Sequence, residues 1–258
     1  MRQLTISRGR YCARLAAGPR DVIRARQLRA LAFRGQSHAG DGDPGDGDMF
    51  DDRCCHGLVE DHETGRLVAT FRLLPMTSGA EIGQSYAAQF YDLSALAAYP
   101  RPLAELGRFC DHPDWRHDPD IVRIAWAVLT RIVDRLGVAM LVGCSSFAGT
   151  DGDAYRDAFG YLRQRHVGPD IWRPGEKAAQ VIRFGTGPEM RACDMARALE
   201  TLPPLLRTYL AMGGWVSDHA VVDRDMGTLH VFTGLEISAI PAARARALRQ
   251  IAGQGAGP

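Results

Sequence analysis

Six carboxylates lie within twelve residues, Asp41, Asp43, Asp46, Asp48, Asp51 and Asp52, in a segment broken by Gly40, Gly42, Pro44, Gly45 and Gly47. Such density attracts a cation, but a helix-flanked calcium loop asks for Glu at its twelfth position. Counted from Asp41 that position is Asp52, and strand-like sequence follows. Asp41, Asp43 and Asp46 therefore read as a solvated loop. Asp48 and Asp51 differ because they bracket Met49-Phe50, which should bury and fix the loop end against the body. Glu105 and Arg108 flank Gly107 in strand-like sequence. Alternation puts them on opposite faces, and a bulge at Gly107 would bring them to one side. They make either a structural ion pair or a general base held by its neighbour. Arg72, inside Phe71-Arg72-Leu73-Leu74-Pro75, points to solvent or to an anion. Cys54, Cys55 and His56, or Cys110 and His112, lack partners at zinc spacing, so buried thiols are the reading and no metal is expected.

The elements that must position these groups follow from periodicity. Tyr11 to Ala17 reads as a strand, and Pro19-Arg20-Asp21 opens a helix that puts Arg29 and Phe33 on one face. Cys54 to His62 and Arg66 to Pro75 flank Glu63-Thr64-Gly65 as a hairpin. Short turns over Ser85 to Leu93 precede a strand from Leu103 to Cys110. Asp118 is an N-cap with Pro119 at the first helical position, and Ile121, Ala125, Val128, Ile132 and Leu136 form a stripe ended by Gly137. Val138 to Cys144 reads as a buried strand. A helix over Asp151 to Phe159, strands over Tyr161 to Trp172 and Ala179 to Phe184, helices over Glu189 to Leu199 and Pro203 to Met212, strands over Trp215 to Val222 and Leu229 to Thr233, and a tail helix from Pro241 complete an α/β order whose first half is mostly antiparallel.

With 258 residues, 46% hydrophobic and 24% charged, the chain has the composition of an ordinary globular protein. Thirty-one basic against 30 acidic residues leave a formal charge of +1, and nothing global argues for nucleic acid. The six scattered cysteines, with no apolar leader before them, suggest reduced, cytoplasmic usage. No stretch approaches the length needed to span a bilayer.

Taken in order, Arg29-x-x-x-Phe33, Asp48-Met-Phe-Asp51, Phe71-Arg-Leu-Leu-Pro75 and Glu105-Leu-Gly-Arg108-Phe109 resemble the shared signature of acyl-homoserine-lactone synthases and the L-ornithine Nα-acyltransferases. Both belong to the GNAT acyltransferase superfamily. Tyr86-Ala-Ala-Gln-Phe-Tyr91, Gly143-Cys-Ser-Ser-Phe147 and Leu202-Pro-Pro-Leu-Leu-Arg-Thr-Tyr-Leu210 are similar to the second family's pattern. The resemblance implies a mixed, mostly antiparallel twisted sheet with splayed central strands and flanking helices, over residues 1–186, and an α/β extension over 187–258. It implies transfer of a 3-hydroxy fatty acyl group from acyl carrier protein to the α-amine of ornithine, with no cofactor and no covalent acyl-enzyme. The expected location is cytoplasmic, with the inner-membrane surface receiving the product.

By the same resemblance Glu105 is the general base, direct or through water, and Tyr155 is a candidate to protonate the leaving thiolate, a packing tyrosine being the alternative. Arg29, Phe33, Asp48, Asp51, Arg72 and Arg108 fall to the acceptor. Phe71, Leu73, Phe109, Cys110, Asp111, Arg116, Ile121, Ser145, Ser146 and Phe147 fall to the acyl-pantetheine arm. Arg116-His-Asp-Pro119-Asp-Ile121 stands where coenzyme A-using relatives show a glycine-rich phosphate loop; Pro119 has no N–H, and Asp118 and Asp120 repel pyrophosphate. Carrier-bound pantetheine is then the better donor, and Arg116, Arg123, Arg131 and Arg135 could meet the acidic carrier. The rivals are an acyl-homoserine-lactone synthase using S-adenosylmethionine, which the region after Phe184 argues against, and an acyltransferase acting on glutamine or lysine. A non-catalytic acyl-binding membrane-surface protein is the third, suggested by Arg244, Arg246 and Arg249 on a weakly apolar tail.

Overall fold

The computed structural model describes residues 4–35, 45–116, 118–185 and 193–254. Its strands are β1 Thr5–Arg8, β2 Tyr11–Leu15, β3 Cys55–Asp61, β4 Leu67–Met76, β5 Tyr91–Asp92, β6 Leu103–Asp111, β7 Met140–Ala148, β8 Gly175–Glu176, β9 Val181–Arg183, β10 Trp215–Val216, β11 His219–Asp223 and β12 Thr228–Glu236. Its α-helices are α1 Pro19–Arg34, α2 Pro119–Leu136, α3 Arg156–Arg165, α4 Met195–Thr201, α5 Pro204–Ala211 and α6 Ala242–Gln254. Two units interleave along the sequence: one takes the described parts of 1–75, 106–138 and 242–258, the other those of 76–105 and 139–241.

In the first unit β1, β2, β3 and β4 pair antiparallel in sequence order, and β4 is followed by the later part of β6. α1 starts as expected, with Pro19 in its first turn and Asp21 accepting from the Ala17 N–H. Arg14 bridges Asp21 at 2.6 Å and Glu60 at 2.8 Å, tying α1 to β2 and β3. Hydrogen bonding from Arg14 draws the Asp21 carboxyl down to about 2. Ala25 and Leu28 of α1 bury against Leu58, Leu67 and Cys110.

α2 is the helix whose sequence carried its own punctuation. Asp118 caps it by accepting from the Asp120 N–H at 2.9 Å, and also accepts the Tyr11 hydroxyl at 2.5 Å, which anchors the cap to β2. Ile121, Ile124, Ala125, Val128, Ile132 and Val133 are all buried, the i, i+3, i+4 face that packs on β1 to β3. Gly137 ends it at φ +62°, ψ +27°, the left-handed conformation glycine adopts without strain. α6 packs along α2, fastened by Arg249 to Asp134 at 2.8 Å.

In the second unit β7 and β12 pair antiparallel over nine residues, and β11 and β9 continue the sheet. Period-two alternation sends Phe147, Leu229 and Val231 to a face covered by α3, α4 and α5 through Phe159, Leu162, Leu202 and Leu206. Val142 and Phe232 go to the other face, under the turns of residues 79–98.

Two expectations fail, and one strand has no counterpart among them. Thr5–Arg8 is a strand, paired with β2, that the sequence reading left unassigned. Tyr161 to Trp172 is no strand: α3 runs on to Arg165, because Ala158, Phe159 and Leu162 bury together on one helical face. The helix expected from Glu189 starts at Met195, capped by Asp194, and Glu189 itself lies outside the described residues.

Candidate active site

The acidic segment becomes half of an internal charge lattice in the first unit. Gly45, at φ +91°, lies so near the Arg26 carbonyl oxygen that an added Cβ would sit 2.5 Å from it, so only glycine allows the segment to lie against α1 here. Asp46 is then buried, with its carboxylate 3.2 Å from Arg29 Nε and 2.9 Å from Arg108 Nε. That corrects the expectation of a solvated Asp46; Asp41 and Asp43 lie outside the described residues. Phe50 is buried as expected, whereas its neighbour Met49 is 81% exposed.

Asp51 is the hub. Arg29 donates to both its oxygens at 2.7 and 2.8 Å, Arg26 Nε donates at 2.9 Å and Arg72 Nη1 at 2.9 Å. Burial alone would raise the Asp51 carboxyl, but these guanidiniums hold it well below the usual carboxylate range. Arg72 also donates to Asp48, whose carboxyl is lowered in the same way against the burial that would raise it. Arg72 therefore faces an anion, and the anion belongs to the protein. Arg108 reaches Asp48 at 3.5 Å and lies over the Phe33 ring. Arg108 has φ +50°, a left-handed conformation that costs a residue with a side chain. It breaks the regular pleat of β6 beside Gly107, where sequence pointed to a bulge.

Arg29 and Asp51 are enclosed, so they act on a substrate only through what they hold in place. The more open members of the lattice are Asp48, whose side chain is 23% exposed, Arg26 at 21% and Arg108 at 15%. Arg26 and His56 are members that sequence reasoning missed. Arg26 precedes Arg29 by one helical turn, and His56 sits directly opposite Arg72 in the hairpin, with its Nε2 2.9 Å from the Asp51 carbonyl. Both signals were readable as spacing.

Glu105 belongs to the second unit. It is buried, and its two oxygens accept the Tyr86 and Ala87 N–H groups at 2.7 and 2.8 Å. The carboxylate thus holds the start of a short helical turn at residues 87–89.

The remaining candidates divide. In the first unit Phe71 and Phe109 stack at 6.0 Å, and Phe71 lies against Gly57, where a Cβ would meet its ring. Leu73, Cys110 and Ile121 are buried, Cys110 within the α1 core with its thiol pushed up by burial. Asp111 is half-buried, and Arg116 is exposed with a contact to the Ala32 carbonyl. In the second unit Ser145 and Phe147 occupy one face of β7 and Ser146 the other, so the three do not converge. Tyr155 packs on Phe147 and donates its hydroxyl to the Ala148 carbonyl at 2.7 Å. Tyr155→Phe is expected to cost about 1 kcal/mol of stability and to leave turnover within a few-fold; a hundredfold loss in a folded variant would make the hydroxyl the acid.

All six cysteines are free thiols. Among the described residues no group of three or more His, Cys, Asp or Glu side chains is arranged to hold a metal ion, and no helix is long and apolar enough to cross a membrane.

Comparison with known proteins adds three findings. Residues 28–126 match the acetyltransferase (GNAT) domain model, a stretch that contains Glu105 and the lattice apart from Arg26. An L-ornithine Nα-acyltransferase of Rhodobacter capsulatus is 36% identical over 180 residues, covering 70% of this chain and 68% of that protein. One of Brucella abortus is 30% identical over 199 residues, covering 74% and 70%. Among solved structures, an N-acyl amino acid synthase from uncultured soil microbes aligns over 95% of this chain and 98% of its own at 13% identity, with a TM-score of 0.45. The GNAT match agrees with the mixed, mostly antiparallel sheet and flanking helices.

Proposed function

This chain belongs to the L-ornithine Nα-acyltransferase family, and we propose that it moves a 3-hydroxy fatty acyl group from an acyl carrier protein thioester to the α-amine of ornithine, giving lyso-ornithine lipid. The observation that carries this reading past the family name is the mixed-sign rim of the lattice, Arg108 beside Asp48. Arg108 suits the acceptor's carboxylate and Asp48 an ammonium group, so one amino acid satisfies both. The neutral amine attacks the thioester carbonyl carbon, the C–N bond forms, and the tetrahedral intermediate collapses with loss of the pantetheine sulfur. Glu105 is our candidate to receive the amine proton through water. The Tyr86 and Ala87 N–H groups hold the Glu105 carboxylate in place for that role.

Carrier-bound pantetheine is favoured as donor by the start of α2. Asp118 is committed to the cap and to Tyr11, and Pro119 has no N–H, so this helix start offers a pyrophosphate little. Arg116, Arg123, Arg131 and Arg135 are our candidates for the carrier's acidic surface, with Arg123 already paired to Asp120. An apolar product suits work at the inner-membrane surface.

The test measures thiol release from 3-hydroxyacyl carrier protein with ornithine, glutamine, S-adenosylmethionine or no acceptor. Ornithine should give the largest rate and a lyso-lipid of matching mass. Equal rates with and without ornithine would sink the reading. Raising salt should slow use of the carrier-bound donor and spare a pantetheine thioester that lacks the protein.

A further inference from the structure

The second unit contains a buried polar group of side chains on an otherwise apolar sheet face. Residues paired across antiparallel strands share a face. Ser146 is opposite His230, Cys144 opposite Phe232, and His230 opposite Val221. That face carries Val142, Val221, Phe232 and Trp215 in one apolar cluster with Tyr91, Leu93 and Leu96. His219 and His230 lie within it at 1% and 2% exposure.

The hydrogen bonds of His230 fix what its ring presents. The Tyr91 hydroxyl donates its single proton to the His230 carbonyl at 2.8 Å, and His230 Nδ1 is 3.1 Å from the same hydroxyl oxygen. Nδ1–H is therefore the donor of that second contact, which leaves a lone pair on Nε2. Burial pushes the His230 imidazole down to about 4, so the ring is neutral near pH 7. His219 Nδ1 lies 2.9 Å from Asp218 Oδ1 and donates to it. Neither Nε2 has a hydrogen-bond partner or contact with solvent. A buried acceptor left unpaired is costly, and a bound donor would remove that cost.

The surroundings choose the donor. Phe90 is 5.0 Å from the His230 ring, and Tyr91 and Phe232 complete an apolar setting that rejects a full charge. Cys144 is half-buried and Ser146 exposed on this same face, so it reaches solvent. The ligand whose chemistry matches these surroundings is an apolar chain carrying one neutral O–H group. We propose that His230 reads a hydroxyl on the donor's acyl chain and so selects hydroxyacyl over unsubstituted acyl groups. The proposal rests on the acyltransferase reading and names the residues that would set its chain specificity.

The experiment measures binding of a long-chain acyl-pantetheine and its 3-hydroxy counterpart to the full chain by calorimetry. The native protein should bind the hydroxylated compound about tenfold tighter or more. His230→Phe keeps an aromatic ring but removes the acceptor, and should bring the two affinities together by weakening only the hydroxylated ligand. Tyr91→Phe, which frees the His230 tautomer, is the second variant should the first fail to fold, and should narrow the gap. Equal binding of both compounds by the native protein, or an unchanged preference in a folded His230→Phe variant, overturns the proposal. Transfer of both acyl groups to ornithine at equal rates would overturn it and leave the acyltransferase reading intact. A hydroxyl preference in binding without acylation of ornithine would do the reverse.

Discussion

Asp51→Asn should lower the unfolding free energy by about 3–5 kcal/mol, the cost of removing one partner from a buried ion pair. The substitution keeps the volume but takes the negative charge from the point where Arg26, Arg29 and Arg72 meet. Asparagine accepts through one oxygen and turns an amide NH2 toward guanidinium donors, so Arg26, Arg29 and Arg72 lose the carboxylate they share and keep only their second ones, Asp52, Asp46 and Asp48. Urea denaturation checks it, and a loss below about 1 kcal/mol would mean the lattice contributes little net stability. The pH dependence has a definite sign. Asp48 and Asp51 are both depressed in the folded protein, so their contribution is present above the unfolded carboxylate range and disappears as pH falls through the folded values. The native protein should lose stability steeply in acid, and Asp51→Asn should show a shallower slope.

Glu105→Gln should lower turnover by about a hundredfold. Near-isosteric exchange would ordinarily spare the fold, but here both oxygens are acceptors facing the Tyr86 and Ala87 N–H groups. Glutamine supplies one acceptor and puts an NH2 against the other N–H, so the turn should also loosen, at a cost of about 1–3 kcal/mol. Two readouts separate these effects. Hydrogen exchange at the Tyr86 and Ala87 amides reports the turn, and the pH profile of kcat/KM reports the base. If Glu105 takes the proton, the acid limb of the profile disappears in the variant. A profile of unchanged shape at reduced height would make Glu105 a positioning residue alone.

Legibility varied with how local the cause was. The start of α2 and its end were readable because Asp118, Pro119 and Gly137 act within a turn of themselves. The end of α3 was not, since Leu162-Arg-Gln-Arg-His166 has too few apolar positions to set a period, and the packing of α3 on α4 decides for helix. Of the residues the resemblance assigned to the acceptor, Arg29, Asp48, Asp51, Arg72 and Arg108 lie together in the lattice, and Phe33 lies under Arg108. Asp46 was misread because its burial depends on Gly45 passing over the Arg26 carbonyl, a tertiary event with no signature in a run of Gly and Asp. Glu105 stood out in the sequence as a mid-strand carboxylate, while its hold on the turn at residues 87–89 was invisible, since backbone donors carry no side-chain signature.

The interleaving of the two units sets an order of manufacture. α2 and the strands under it are synthesised early, yet α6, which lies along α2 and buries Ala252, is made only after the whole second unit. The first unit therefore leaves the ribosome unfinished, with the α6-facing side of α2 uncovered while residues 139–241 are still being added. A truncation placed before Ala242 removes part of an early-made unit from its far end, and a tag intended to be inert belongs elsewhere than within α6.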